Sequence, residues 1–407
     1  MKRGALVANA MVTADATPPA RGAGRLREAR HAGVAWDQDG TLVFVGDADR
    51  LPWPATHGSV DTGCIAPGFV DCHTHLPFVG WRSDEFEARL TGRTYRDLAG
   101  EGGGIARSAR MLAEASDDEV LAFCIPIAWE MAAHGTTALE LKTGYGLSVE
   151  GELRQALLAR RLADAVPQTC TVTLLACHAV PAGMSRADWV RIACDELIPA
   201  AAEQGLADAV DVYVEDIAFD LDDLARVGAA AAAAGLPLRC HADQLGASGA
   251  AEAAVALDAR SADHLNRSGE AGVAALGSGA TTAVLLPAST FFLRAGAPPV
   301  AGLLAAGAAI AIATDCNPGT SPVCSMPEAI AMACTLYGMD PHAALVASTA
   351  TAAWVLGLHD RLGRLEVGMQ ADLVLLEEAD VAQIPYRPGH DPVVSTFVAG
   401  ELVAGTR

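Results

Sequence analysis

Four residues of metal-ligating type close apolar runs in this chain: His73 and His75 in VDCHTH, His241 in LRCHAD and Asp315 in AIATD. Side chains alternate with a period of two along extended backbone, so the imidazoles of His73 and His75 project to one side while Cys72 and Thr74 face the other. An HxH pair is half of a metal site, and two packed or hydrogen-bonded histidines at a strand end give the same pattern. Three imidazoles and a carboxylate at comparable positions form a stronger set. Neutral nitrogens with one oxygen suit Zn²⁺ or an Fe ion and leave a position for water. Asp315 alone reads as a turn residue; beside three histidines it reads as a ligand and a general base. His264 in SADHL and His178 in LLACHAV also end apolar runs, and each suits either contact with the reacting groups or a supporting hydrogen bond. The histidines at 31, 57, 134, 342, 359 and 390 are assigned to surface or structure.

A scaffold must bring these distant residues together. Between residues 66 and 315, short β-branched runs alternate with longer stretches rich in Ala, Leu, Glu and Arg, the pattern of repeated βα units. Eight strand-like runs are present, at 67–75, 136–142, 171–179, 209–216, 237–243, 261–265, 281–287 and 308–315. Eight parallel strands with intervening helices close into a (β/α)8 TIM-type barrel, an α/β fold that gathers its functional residues at the carboxyl rim. Asp117 and Asp118 suit the start of one such helix and Gly135 its end. GALVANAMVTA, the hairpin GVAWDQDGTLVFVGDA with its Asp39-Gly40 turn, and the C-terminal runs RLEVGMQADLVLLE and DPVVSTFVAGELVAG, with a bend at Gly400, read as strands. Residues 1–64 and 364–407 are expected to build one small β-sandwich domain beside a barrel domain of 65–363. Residues 15–29 read as a mobile loop.

Composition narrows the partners. The 407 residues include 49 acidic against 28 basic, a formal charge of -21 that repels nucleic acid and anionic membranes. An acidic substrate would need a local cation, and Arg82, a short loop beyond the HxH, offers a planar fork; pairing with Asp84 or Glu85 at the surface is the competing role. Ten cysteines without a CxxC pair read as small core residues in a reducing compartment. With no signal peptide or membrane-spanning run legible, a cytoplasmic protein is expected.

PGFVDCHTHLPF, the two further strand-end histidines, TDCNPG and RLGRLEVGMQADLVLL resemble the amidohydrolase superfamily. Within it, EFEARLTGRTYRDLAGEGGGI, ELKTGYGL, LLACHAVP, HADQLGASGAA, SADHL and ATDCNPGTSP resemble the imidazolonepropionase family block after block, over nearly the whole chain. The resemblance implies one Zn²⁺ or Fe ion, a small-molecule substrate, a homodimer, and hydrolysis of the lactam bond of 4-imidazolone-5-propanoate. It also implies substrate or product contacts for Arg82, Tyr145, His178, Gln244, Asn317, Gly319 and Thr320, and catalytic roles for Asp315 and His264. Where many related deaminases carry a proton-shuttling Glu after the third histidine, this chain has Gln244, which cannot titrate and shifts proton transfer onto Asp315 or His264. Lys142 is not expected to bridge two metals, and Glu215 is expected to orient a ligand histidine. A deaminase or cyclic amidase acting on another small heterocycle is the alternative activity; a metal-free scaffold, which would lack the ligands, is a remote one.

Overall fold

A computed structural model describes residues 3–15, 19–22, 24–57 and 60–405. The chain opens with β1 (Gly4–Ala14), β2 (Leu26–Trp36), β3 (Leu42–Asp47) and β4 (Val60–Pro67). It then runs through β5 (Phe69–Asp71), β6 (Thr136–Lys142), β7 (Thr169–Cys177), β8 (Ala209–Val214), β9 (Leu238–Ala242), β10 (Ser261–His264), β11 (Thr282–Leu285) and β12 (Ile310–Ile312). It closes with β13 (Leu373–Leu376), β14 (Val393–Val398) and β15 (Glu401–Gly405).

Strands β5 to β12 form an eight-stranded sheet in sequential order, each parallel to its neighbours and almost wholly buried. Burial on both faces explains their near-continuous Val, Leu, Ile and Ala content. The barrel closes at its rim. Asp315 donates its N–H to the His73 carbonyl at 3.0 Å and His75 donates to the Cys316 carbonyl at 2.9 Å, while Asp71 accepts from the Thr314 hydroxyl at 2.6 Å. The seam of the fold therefore juxtaposes the HxH and Asp315 before any side chain is considered.

The other sheet has the order β15-β14-β13-β4-β1-β2-β3, so both ends of the chain contribute to it. Leu6, Val34, Trp36, Leu42, Ile65, Leu373 and Phe397 fill its own core. The Asp39-Gly40 turn and the Gly400 bend fall between paired strands as expected. Residues 15–29 do not form one loop: β2 begins at Leu26 and pairs from there with Ala14, because Leu26 packs against the barrel core. Residues 16–18 and 23 of that stretch lie outside the described residues.

Several regular strands stop short of the runs read from sequence. β5 ends at Asp71, β7 at Cys177 and β12 at Ile312. The backbone turns out of the ladder at the rim, where Asp243, His264, Leu265 and Asp315 all have φ between 51° and 77°. Such conformations are sparsely populated for residues other than glycine and collect where a site demands them. Between β5 and β6 three helices, α1 (Ser83–Leu90), α2 (Tyr95–Gly100) and α3 (Gly104–Glu114), precede the long α4 (Asp117–Ala133). Ser116 and Glu119 cap α4 reciprocally, at 3.3 and 2.9 Å.

Candidate metal centre and active site

At the barrel seam, Asp315 Oδ1 lies 3.6 Å from His73 Nε2 and 3.3 Å from His75 Nε2, and His75 Nε2 lies 3.5 Å from His241 Nε2. Ligands about 2.1 Å from a shared tetrahedral ion sit roughly 3.4 Å from one another, so these separations suit one cation. A second overlapping group joins His73, His264 and Asp315. His73 Nε2 and Asp315 Oδ1 are buried and have no hydrogen-bond partner among the described residues. Burial, then the surrounding positive groups, hold His73 and His75 well below the ordinary imidazole range, and burial raises the Asp315 carboxyl. Neutral imidazoles with unshared lone pairs converging on a buried carboxylate oxygen are what a divalent ion requires. The residues fit one.

Beneath them lies a fully buried charged network that the sequence reading missed. His73 Nδ1 is 2.6 Å from Asp263, and His241 Nδ1 is 3.1 Å from Asp211. Lys142 Nζ meets Asp211 at 2.6 Å and Glu140 at 3.0 Å. Arg239 donates to Asp263 at 3.0 Å, to the Cys72 carbonyl at 2.8 Å and also to Glu140. Burial and Arg239 push the Lys142 ammonium down, but Asp211, Glu140 and Asp263 outweigh them and leave it raised. Carboxylates on Nδ1 leave Nε2 of each ring as the free lone pair. Glu215, expected in this orienting role, instead accepts the Leu245 N–H at 2.7 Å and steadies the loop carrying Gln244. That loop leaves β9 on the side facing the end of β8, where Glu215 sits, so the carboxylate meets backbone donors first.

One pocket at the rim is lined by His75, Arg82, Tyr145, His178, Gln244, His241, His264, Asp315, Asn317 and Thr320, joined by Tyr95 and Tyr213, which the sequence reading did not single out. Arg82 is buried, 3% exposed, and pairs with Glu85 at 3.1 Å and with Ser108. Arg82 therefore holds Glu85, the competing role, but does so below the surface and in the pocket wall. Gly319 lines no part of the pocket but makes room for this guanidinium, since a Cβ there would fall 1.8 Å from Arg82 Nη2. Asn317 Oδ1 accepts from Gly319 N at 3.0 Å and from Thr320 N at 2.8 Å, so its amide shapes the turn. Buried Glu152 accepts from Gly144 and Leu147, each at 2.9 Å, and Gln155 accepts from Tyr145 N at 2.9 Å. His178 Nδ1 lies 2.9 Å from the Gly144 carbonyl, and its ring stacks on His75 with centroids 5.3 Å apart. Gly144, at φ 109°, permits that approach, because a Cβ would sit 2.7 Å from His178 Nδ1.

Barrel, seam and convergent imidazoles together define a metal-dependent hydrolase of the amidohydrolase type. Residues 64–403 match the model of the amidohydrolase family. An imidazolonepropionase of Xanthomonas campestris pv. campestris is 43% identical over 364 residues, covering 89% of this chain and 91% of that protein. An imidazolonepropionase of Serratia proteamaculans is 41% identical over 376 residues, covering 91% and 92%. The chain belongs to the amidohydrolase family, on its imidazolonepropionase branch. Among solved structures, a zinc-bound adenosine deaminase from Xanthomonas campestris superposes with a TM-score of 0.72 at 20% identity, covering 98% of this chain and 92% of that one. A 5-methylcytosine deaminase from Klebsiella pneumoniae also gives 0.72, at 16% identity and 98% coverage of both chains. Both share the fold. No helix among the described residues is long and apolar enough to cross a membrane.

Proposed function

We propose that this chain hydrolyses the lactam C–N bond of 4-imidazolone-5-propanoate to N-formimidoyl-L-glutamate. The observation that carries the reading is one pocket lined both by His75, His241 and Asp315, behind which His73 completes the cluster, and by the buried Arg82. His73, His75, His241 and Asp315 would hold one Zn²⁺ or Fe ion, which when bound polarises the amide carbonyl and acidifies water.

The remaining roles fall to the chain itself. Arg82 takes the substrate propionate with the donors that Glu85 and Ser108 leave free, and Tyr145 with His178 packs against the ring. Asp315 accepts a proton as the water oxygen adds to the carbonyl carbon, then returns it to the ring nitrogen as the C–N bond breaks. His264, held neutral by burial with a pKa lowered to about 3, donates to the oxygen that gains charge. Gln244 orients without titrating. Asp263 and Asp211 keep the ligand rings in one tautomer.

Freshly generated imidazolone propanoate should lose its ultraviolet absorbance on incubation with the metal-loaded protein, without release of ammonia. The shared fold of the deaminases supports a second reading, attack on a ring amine. Rapid ammonia release in that assay would replace the first reading with the second.

A further inference from the structure

A second cavity, of about 440 Å³, adjoins the pocket, and the two share Tyr95, Gln244, Leu245 and Leu293 in their walls. Arg89, Arg93, Arg96, Arg267 and Arg294 line it, and no Asp or Glu does. In a chain with 49 acidic and 28 basic residues this is a marked local reversal of sign. Arg93 pairs with Glu101 at 2.5 Å and Arg96 with Asp216 at 2.6 Å. Arg89, Arg267 and Arg294 have no carboxylate within 4.0 Å among the described residues. Arg89 donates to the Gly319 carbonyl at 2.9 Å, while its Nε and Nη1 are buried without a partner. Phe86, Leu90 and Phe292 supply apolar walls, while Arg267 and Arg294 reach solvent, so their attraction for an anion is open to screening by salt.

Three guanidinium groups without a direct ion-pair partner, in a cavity beside the pocket that holds Arg82, suit an anion. We propose that this antechamber is a second carboxylate-binding site, which concentrates the anionic substrate beside the pocket and receives the product. This rests on the reading above. Hydrolysis converts a neutral cyclic carbonyl into a carboxylate, so the product carries one more carboxylate than the substrate. Arg82 serves the propionate, and the outer arginines serve the added charge as the product leaves.

The test uses the metal-loaded protein and the double variant Arg267→Gln/Arg294→Asn, which leaves Arg89 and the inner pocket intact. At about 10 mM salt the variant should lose roughly tenfold in kcat/KM, mostly in KM, and the gap should close near 0.5 M salt, where the Debye length is a few ångströms. A separate arm needs no turnover. Glutarate should still bind calorimetrically to an Arg82→Ala protein at low salt, and adding the two outer substitutions should abolish that binding. Equal salt dependence of kcat/KM in both proteins, or glutarate binding unchanged by the outer substitutions, overturns the proposal. Absence of imidazolone turnover by the wild-type protein would overturn the assigned reaction instead, leaving the glutarate arm to decide the antechamber.

Discussion

Adding a single methyl group at residue 319 should uncouple substrate binding from chemistry. The Cβ of Gly319→Ala would lie 1.8 Å from Arg82 Nη2, 2.3 Å from Cζ and 2.6 Å from Nε. The backbone cannot withdraw, because Gly319 N–H is held by Asn317 at 3.0 Å and its carbonyl by Arg89 at 2.9 Å. The guanidinium must therefore leave the position that Glu85 and Ser108 define. A charge-assisted pair between Arg82 and the substrate carboxylate contributes about 1.5–3 kcal/mol, so its loss corresponds to roughly 10- to 150-fold in affinity. Steady-state kinetics with imidazolone propanoate should show KM raised by that order and kcat changed by only a few-fold. The same assay on Arg82→Ala, and on the two changes together, gives the decisive comparison. If Gly319→Ala acts by displacing Arg82, the double variant is no worse than the worse single one. An unchanged KM, or two effects that multiply, would refute the reasoning.

Asp263→Asn should weaken metal binding about 10- to 100-fold, read by competition of the metal-free protein with a chromophoric chelator; undiminished affinity would remove Asp263 from the orienting role. Lys142→Met leaves Asp211 and Glu140 buried with one cation fewer, and should cost about 3–5 kcal/mol in urea unfolding; a loss below about 1 kcal/mol would show that Arg239 alone compensates both. Burial raises the Asp372 carboxyl from 3.8 to about 6, although Ala399 N–H and the Gln370 amide donate to it. Because the folded state binds its proton more tightly than the unfolded chain does, its contribution to stability is greatest below pH 4. That contribution falls by about 3 kcal/mol as the pH rises through 6. Asp372→Asn should accordingly gain on the wild type between pH 4 and 7 in urea midpoints, and a pH-independent difference would contradict the assignment.

How much of this was legible depended on whether chemistry or topology set the residue. The proposed metal ligands could be read because few side chains bind a divalent ion, and because His73, His75, His241 and Asp315 each end an apolar run that a barrel carries to one rim. The supporting network left a fainter trace. Glu140, Lys142, Asp211, Arg239 and Asp263 are charges inside β6, β8, β9 and β10, strands otherwise made of residues fit for burial. Arg239 and His241 stand two apart, so a charge sharing the face of a ligand histidine had to be buried and paired. Read that way, the sequence points to charges directed at the site from below, though not to their pairing, which depends on which strands adjoin. Glu215 was misassigned for the same reason: position at a strand end says nothing about whether a ring or a neighbouring backbone loop comes within reach. The antechamber left no trace at all. Its unpaired arginines come from α1, from the turn after β10 and from the residue following the helix Pro287–Leu293, segments with no common period and no common motif. A metal imposes its residue types on the sequence, whereas a diffuse anion site asks only that several cations be left unpaired in one place, and that condition exists only in three dimensions.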